Sequence, residues 1–171
     1  MIIDNPINDA FYDIIIIGSG PAGITLAKKI ENKFKKIAIV EAGERYYSEE
    51  SQKYYRGFID GLFPQKLSKS RLSMFGGTTG HWGRTCRTHD EHDFYNWPIK
   101  KNTISAYQDE ACKNLEVKNL FRTENINENL NLIEFQQSKT YFPDKYYSDI
   151  ESSKNINLYL QSPMIELIGE D

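Results

Sequence analysis

Cysteine is scarce. The chain has two in 171 residues, Cys86 and Cys112. Two cysteines make no disulfide framework of the kind that holds small secreted domains, so reduced thiols and a cytoplasmic location are expected. Long apolar runs are missing. None exceeds four residues, Ile14–Ile17 among them, against the roughly 18 that suggest a membrane span. Residues 1–9 carry no positive n-region and no small-residue cleavage site, so no signal peptide is expected. There is no large excess of either charge: 21 Lys and Arg face 24 Asp and Glu, for a net charge of -3. Nucleic acid and anionic membrane surfaces draw on a basic surplus, so neither is an expected partner. Internal repeats and long low-complexity tracts are also absent. What is present is ordinary for a globular chain, with 39% hydrophobic and 26% charged residues. The length suits one domain with a real core and is small for a two-domain enzyme.

The apolar pattern predicts an α/β protein. Residues 12–17, Tyr-Asp-Ile-Ile-Ile-Ile, read as a short buried strand stopped by Gly18. A helix is expected from about Pro21 to Lys33, with Ala22, Ile24, Leu26, Ala27, Ile30 and Phe34 at roughly helical spacing. A second strand follows at 36–40. Strand, helix and strand over 12–43 form a βαβ unit, which implies a parallel pair with a right-handed crossover. Some helix is expected near 48–58. Trp97-Pro98 marks a turn, and a helix over 103–115 follows. Asn102 or Thr103 is its N-cap, and Ile104, Tyr107, Ala111 and Leu115 share a face. Residues 123–131 read as a polar, Asn-rich loop. Strands are expected over 131–136, 156–160 and 164–168.

Gly18-Ser19-Gly20-Pro21-Ala22-Gly23 fits G-x-G-x-x-G between the first strand and the first helix. Gly18 permits the turn, Gly20 lets the backbone approach a pyrophosphate, and Gly23 lets helix and strand pack closely. The helix N-terminus offers unpaired N–H groups and a positive dipole end, and Pro21 presets the first turn. Glu41, eighteen residues after Gly23, has the place of an acid that accepts hydrogen bonds from ribose hydroxyls. An acid there disfavours a 2′-phosphate, and hence NADP. A dinucleotide is therefore the expected ligand, with NAD and FAD both open at this point.

A second motif, Gly76-Gly77-Thr78-Thr79-Gly80-His81-Trp82-Gly83-Arg84, lies in a Gly/Thr-rich segment over 75–84. Its glycines allow close backbone approach, and Thr78 and Thr79 supply hydroxyls for a pyrophosphate or a ribitol chain. With this segment the chain resembles the glucose-methanol-choline (GMC) family of FAD-dependent oxidoreductases. Asp13-Ile14-Ile15-Ile16-Ile17-Gly18-Ser19-Gly20-Pro21-Ala22-Gly23, then Val40-Glu41-Ala42-Gly43, then the Gly76 loop are similar to that family's motifs in order and spacing. His81-Trp82, Asp93-Phe94 and Trp97-Pro98-Ile99 look like its pyranose oxidase and bacterial sugar or gluconate dehydrogenase branch. Asn155-Ile156-Asn157-Leu158 and Ser162-Pro163-Met164-Ile165-Glu166-Leu167 are similar to the family's strand that meets adenine. The resemblance covers nearly the whole of residues 10–171.

The resemblance implies a Rossmann-type FAD-binding fold, incomplete within this chain, and oxidation of a CH–OH donor such as a sugar or polyol. Gly18, Ser19, Gly20, Pro21, Ala22 and Gly23 would lie at the pyrophosphate, and Glu41 and Ala42 at the adenosine. Gly77, Thr78, Thr79, His81 and Trp82 would lie along the flavin, and the backbone of Met164 would meet adenine. For His81 it implies either attachment to the flavin 8α-methyl, as in pyranose oxidases, or a place at the flavin edge. The family's catalytic base is a late histidine paired with His or Asn. None of the three histidines here, His81, His89 and His92, has that position, so the base and the substrate domain are expected outside these residues. Two other readings stand beside this one: an NAD-linked or reductase-type flavoprotein, and a non-catalytic nucleotide-binding module. His89 and His92 are expected in a solvated loop rather than at a metal. Cys86 and Cys112 are expected as small buried hydrophobes. Tyr46, Tyr47, Tyr54, Tyr55, Tyr141, Tyr146 and Tyr147 are assigned to packing and surface.

Overall fold

The computed structural model describes residues 1–3, 10–61 and 66–169. Most of the segment read for targeting signals, and the closing Glu170-Asp171, lie outside the described residues. The chain forms two compact units, one of residues 1–81 with 141–171 and one of residues 82–140.

The first unit is α/β. Strands β1 (Ile2–Ile3), β2 (Ile14–Ile17), β3 (Ile37–Val40) and β8 (Ile156–Tyr159) make one parallel sheet in the order β1-β8-β3-β2. Helix α1 (Pro21–Ile30) connects β2 to β3, which is the βαβ unit predicted from the sequence. The register pairs Ile14 with Ile37 and Ile156, and Ile16 with Ile39 and Leu158, so these six share one face. Ile37, Ile39, Ile156 and Leu158 are fully buried there, with Ile24 and Ala27 of α1 buried beside them. The opposite face carries Ile15, Ala38 and Asn157, then Ile17, Val40 and Tyr159. Tyr12 reaches that face: its hydroxyl shares a hydrogen bond with that of Tyr159 and accepts one from Asn157 Nδ2 at 2.9 Å. Ile15 and Ile17, on the edge strand β2, remain 58% and 50% exposed.

Helix α1 ends at Ile30 rather than at Lys33. Glu31 caps it, still with helical φ and ψ: its carboxylate accepts from Lys28 Nζ at 2.7 Å and from the Ser153 hydroxyl, and its carbonyl accepts from Asn155 Nδ2 at 2.9 Å. Burial works to raise the Glu31 carboxyl, but its Lys28 and Ser153 hydrogen bonds prevail and hold it below the usual range. Strand β2 starts at Ile14 rather than at residue 12, because Asp13 caps the turn before β3 by accepting from the backbone N–H groups of Lys35 and Lys36. The helix expected over 48–58 is a single turn, α2 (Glu49–Gln52), followed by a 3-10 turn at Lys53–Tyr55. The buried Gln52 amide is held by Ser68 O, Arg71 O and Ser73 N, which seats the next short helix, α3 (Leu67–Ser70).

The sequence pattern predicts no element where α6 (Phe142–Ser152) forms. Pro143 sits in its first turn, where no backbone N–H is needed. Phe142, Tyr146, Tyr147 and Ile150 form its buried stripe. It packs on β8 and on the 3-10 turn at Gly77–Gly80. The strand expected over 164–168 does not form: Met164–Ile168 joins no sheet among the described residues.

The second unit holds β4 (Thr85–Cys86), a 3-10 turn at Glu91–Phe94, α4 (Lys101–Ser105), α5 (Gln108–Leu115), β5 (Thr123–Asn127), β6 (Leu130–Ile133) and β7 (Gln136–Gln137). The helix expected over 103–115 is thus two, starting at Lys101 and broken at Ala106-Tyr107. Tyr107 there has left the helical region, with φ -105° and ψ 1°. The predicted loop over 123–131 is a β-hairpin, β5 against β6, with a bulge between Asn125 and Asn127. Only its tip is turn: Asn127 Oδ1 accepts from the Asn129 N–H at 2.9 Å, a local bond that asparagine favours. The strand expected over 131–136 is accordingly split, with β6 in the hairpin and β7 paired to β4.

Candidate functional site

The carboxyl ends of three parallel strands lie side by side. Gly18 N–H donates to Val40 O at 2.8 Å, and Glu41 N–H donates to Tyr159 O at 2.8 Å. Beyond β8 the chain stays attached, since Gln161 N–H donates to Gly43 O and Ser162 N–H to Glu41 O. The glycine loop turns out of β2 here, with Gly18 at φ +95°, a conformation that side chains resist. A Cβ on Gly23 would stand 2.1 Å from Gly18 O, so only glycine lets α1 approach β2 this closely. Gly20, at φ -66°, has nothing within 4 Å of where its Cβ would be. Space above Gly20 is therefore open, and sterics within the chain do not demand glycine there. Helix α1 begins at Gly20 with no side-chain cap and no acid in its first turn. Its first N–H groups and positive dipole end suit an anion.

Glu41 lies 7% exposed at the end of β3. Its Oε2 accepts from Ser19 N at 2.9 Å and Ser19 Oγ at 2.7 Å, and its Oε1 accepts from Gly43 N at 2.8 Å. A carboxylate offers about four acceptor sites, so roughly one remains for a ribose hydroxyl. Ser19 is fully buried, with its N–H and hydroxyl both directed to Glu41. Glu41 thus clamps the glycine loop to its own strand, a role the spacing alone did not signal. Nearby, burial first and the Glu41 charge second push the Tyr55 phenol up, while Arg71 pulls it down.

The second motif lands on the first. Gly76 N–H donates to Ser19 O at 3.0 Å, and a Cβ on Gly77 would stand 3.2 Å from Gly20 Cα. Gly76 and Gly77 both have positive φ, at +83° and +56°. The loop is anchored from behind. Phe75 is fully buried edge-to-face on Tyr147 of α6 at 5.4 Å, and its N–H donates to Glu44 O. A Cβ on Gly76 would meet the Pro143 ring at 2.7 Å. Arg45 stacks 3.7 Å over the Tyr147 ring. Helix α6, unread in the sequence, is therefore what holds the second glycine loop.

The remaining predicted residues are placed as follows. Pro21 and Ala22 are exposed on the first turn of α1, and Ala42 is half-buried. Thr78 is half-buried, while Thr79 is buried with its hydroxyl donating to Gly76 O at 2.5 Å. His81 is exposed at the end of the 3-10 turn. Trp82 belongs to the second unit, and its Nε1 is buried with no partner among the described residues. Met164 is 46% exposed outside any element. His89 and His92 are exposed beside Asp93, at 3.4 and 3.5 Å from its oxygens. Among the described residues no three metal-ligating side chains gather, and no helix is long and apolar enough to cross a membrane. Cys86 and Cys112 are free and buried.

Comparison with protein-family models, with curated proteins and with solved structures gives no match.

Proposed function

We propose that the chain is the FAD-binding part of a flavin-dependent oxidoreductase of the GMC kind, acting on a CH–OH donor such as a sugar, polyol or other alcohol. On this reading the first unit is a Rossmann-type nucleotide fold, and the two free thiols of the second unit belong to a reducing, cytoplasmic protein. One observation carries the reading: two glycine-rich motifs far apart in sequence meet at Gly20 and Gly77, at the carboxyl ends of parallel strands. That is where open α/β sheets take their ligands.

The residues present fit the cofactor. Gly18, Gly20, Pro21, Ala22 and Gly23 frame an open, anion-suited helix start, which would hold the pyrophosphate. Ser19 supports that loop through Glu41, and Glu41 keeps an acceptor site for the ribose. Ala42 and the backbone at Met164 would border the adenosine. Gly77, Thr78, Thr79 and His81 would accompany the flavin. Bound there, FAD would supply a two-electron acceptor for hydride. No residue of this chain is assigned as the catalytic base.

Titration of FAD into the purified chain, followed by flavin fluorescence, tests the reading. Saturation at one FAD per chain is expected. Gly20→Ala has room in the fold, so its circular dichroism is expected unchanged while FAD binding weakens at least tenfold. Equal affinity in Gly20→Ala, or no binding by either protein, overturns the assignment. FAD binding without alcohol turnover is expected of the purified chain, since none of its residues is assigned as the catalytic base.

A further inference from the structure

The chain leaves β8 through a turn that is bonded along the end of β3. Glu41 N–H donates to Tyr159 O at 2.8 Å, Gln161 N–H to Gly43 O at 2.9 Å, and Ser162 N–H to Glu41 O at 2.8 Å. These bonds fix residues 159–162 against residues 41–43. Within the turn Gln161 has φ +52°. Glycine takes that conformation without penalty, whereas the Cβ of a glutamine opposes it. The side chain gains no bond inside the protein in return: it is exposed, and its amide has no partner among the described residues. The neighbouring Ser162 hydroxyl is spent on Leu160 O at 2.9 Å, so Gln161 is the polar side chain this turn leaves free. Backbone outliers of this kind collect at ligand sites.

Its position says which part of a ligand it would meet. On the proposed function the pyrophosphate lies at the start of α1, just beyond β2, and Glu41 at the end of β3 takes the ribose. In a nucleotide the ribose stands between phosphate and base. The sheet runs β2-β3-β8, so a base that continues the line arrives at the end of β8, at Gln161. A primary amide offers an acceptor and a donor side by side. Adenine matches it with its 6-amino group as donor and a flanking ring nitrogen as acceptor, a bidentate pair that glutamine makes elsewhere.

We propose that Gln161 reads the adenine of the bound dinucleotide, with its Oε1 accepting from the 6-amino group and its Nε2 donating to the neighbouring ring nitrogen. This rests on the nucleotide site proposed above and adds to it the residue that selects the base.

Calorimetric titration of the whole chain with ADP and with purine riboside 5′-diphosphate, which lacks only the 6-amino group, tests it beside the FAD titration. ADP is expected to bind about fivefold more tightly than the analogue, the worth of one net hydrogen bond. In Gln161→Gly, which suits the positive φ and keeps the backbone bonds, the two diphosphates are expected to bind alike. Thermal unfolding should find that variant at least as stable as the unsubstituted chain. FAD binding with no preference between the two diphosphates, or a preference for ADP that survives in Gln161→Gly, would overturn the role of Gln161 and leave the nucleotide site in place. No binding of FAD or of either diphosphate would overturn both.

Discussion

The parallel sheet of the first unit and the hairpin of the second use the same aliphatic residues to opposite ends. Ile37, Ile39, Ile156 and Leu158 are fully buried, whereas Ile126, Leu130, Leu132 and Ile133 all stand in the solvent-exposed class. Both sets sit in paired strands. The difference is cover. Helix α1 lies over one face of the sheet, while the hairpin has only two strands and gains little burial of its own. Pairing is a local property, but burial needs a second layer. The contrast explains why the first unit can hold two glycine loops in fixed left-handed turns while the hairpin holds only its own turn.

The largest expected effect comes from removing what the sheet buries. Ile39→Ala should cost about 2–5 kcal/mol in denaturant unfolding, the range for a large core side chain cut to Ala. A loss below 1 kcal/mol would mean that the sheet is not the core. Glu41→Gln is next. Its amide would set a donor against Ser19 N–H or Gly43 N–H in place of a charged acceptor, at a cost of about 2–3 kcal/mol. Glu41→Asp, which keeps the charge but shortens the reach, should recover only part of it. The third effect is a dependence on alkaline pH. Burial, and then the Tyr12 hydroxyl, push Tyr159 up to about 12. An unfolded tyrosine titrates near 10, so the native state holds the proton longer than the unfolded state does. That contribution to stability is complete below pH 10 and is lost as pH rises toward 12. Unfolding curves across that window should fall less steeply in Tyr159→Phe than in the unsubstituted chain, and equal slopes in the two proteins would contradict it. The smallest effect belongs to the hairpin: Leu132→Ala should change stability by about 0.5 kcal/mol or less. A loss as large as that of Ile39→Ala would abolish the contrast between the two regions.

The same contrast marks what was legible in the sequence. The β2–α1–β3 unit was readable because four-residue aliphatic runs and three spaced glycines carry local signals of burial and turning. Helix α6 was not, because its buried stripe is mostly aromatic and Pro143 looks like a breaker unless its place in the first turn is known. The hairpin was hidden by composition: its asparagines suggest loop throughout, yet only Asn127 and Asn129 shape the turn. Within the candidate site, the glycines and Glu41 were visible one by one. The clamp from Glu41 to Ser19, across 22 residues, and the approach of Gly77 to Gly20 were not, because no period in the sequence encodes a contact between distant turns. The face shared by Ile104, Tyr107, Ala111 and Leu115 was anticipated, and all four line one half-open groove of the second unit. The break between the two helices was not.

On the proposed function, the two glycine loops together make one nucleotide site. Hydrogen–deuterium exchange of the whole chain with and without saturating FAD tests it most directly. Slower exchange is expected at the start of α1, over residues 20–25, and at Gly76–Gly80 together, with residues 123–133 unchanged. Protection of one loop without the other, or protection confined to the second unit, would contradict it.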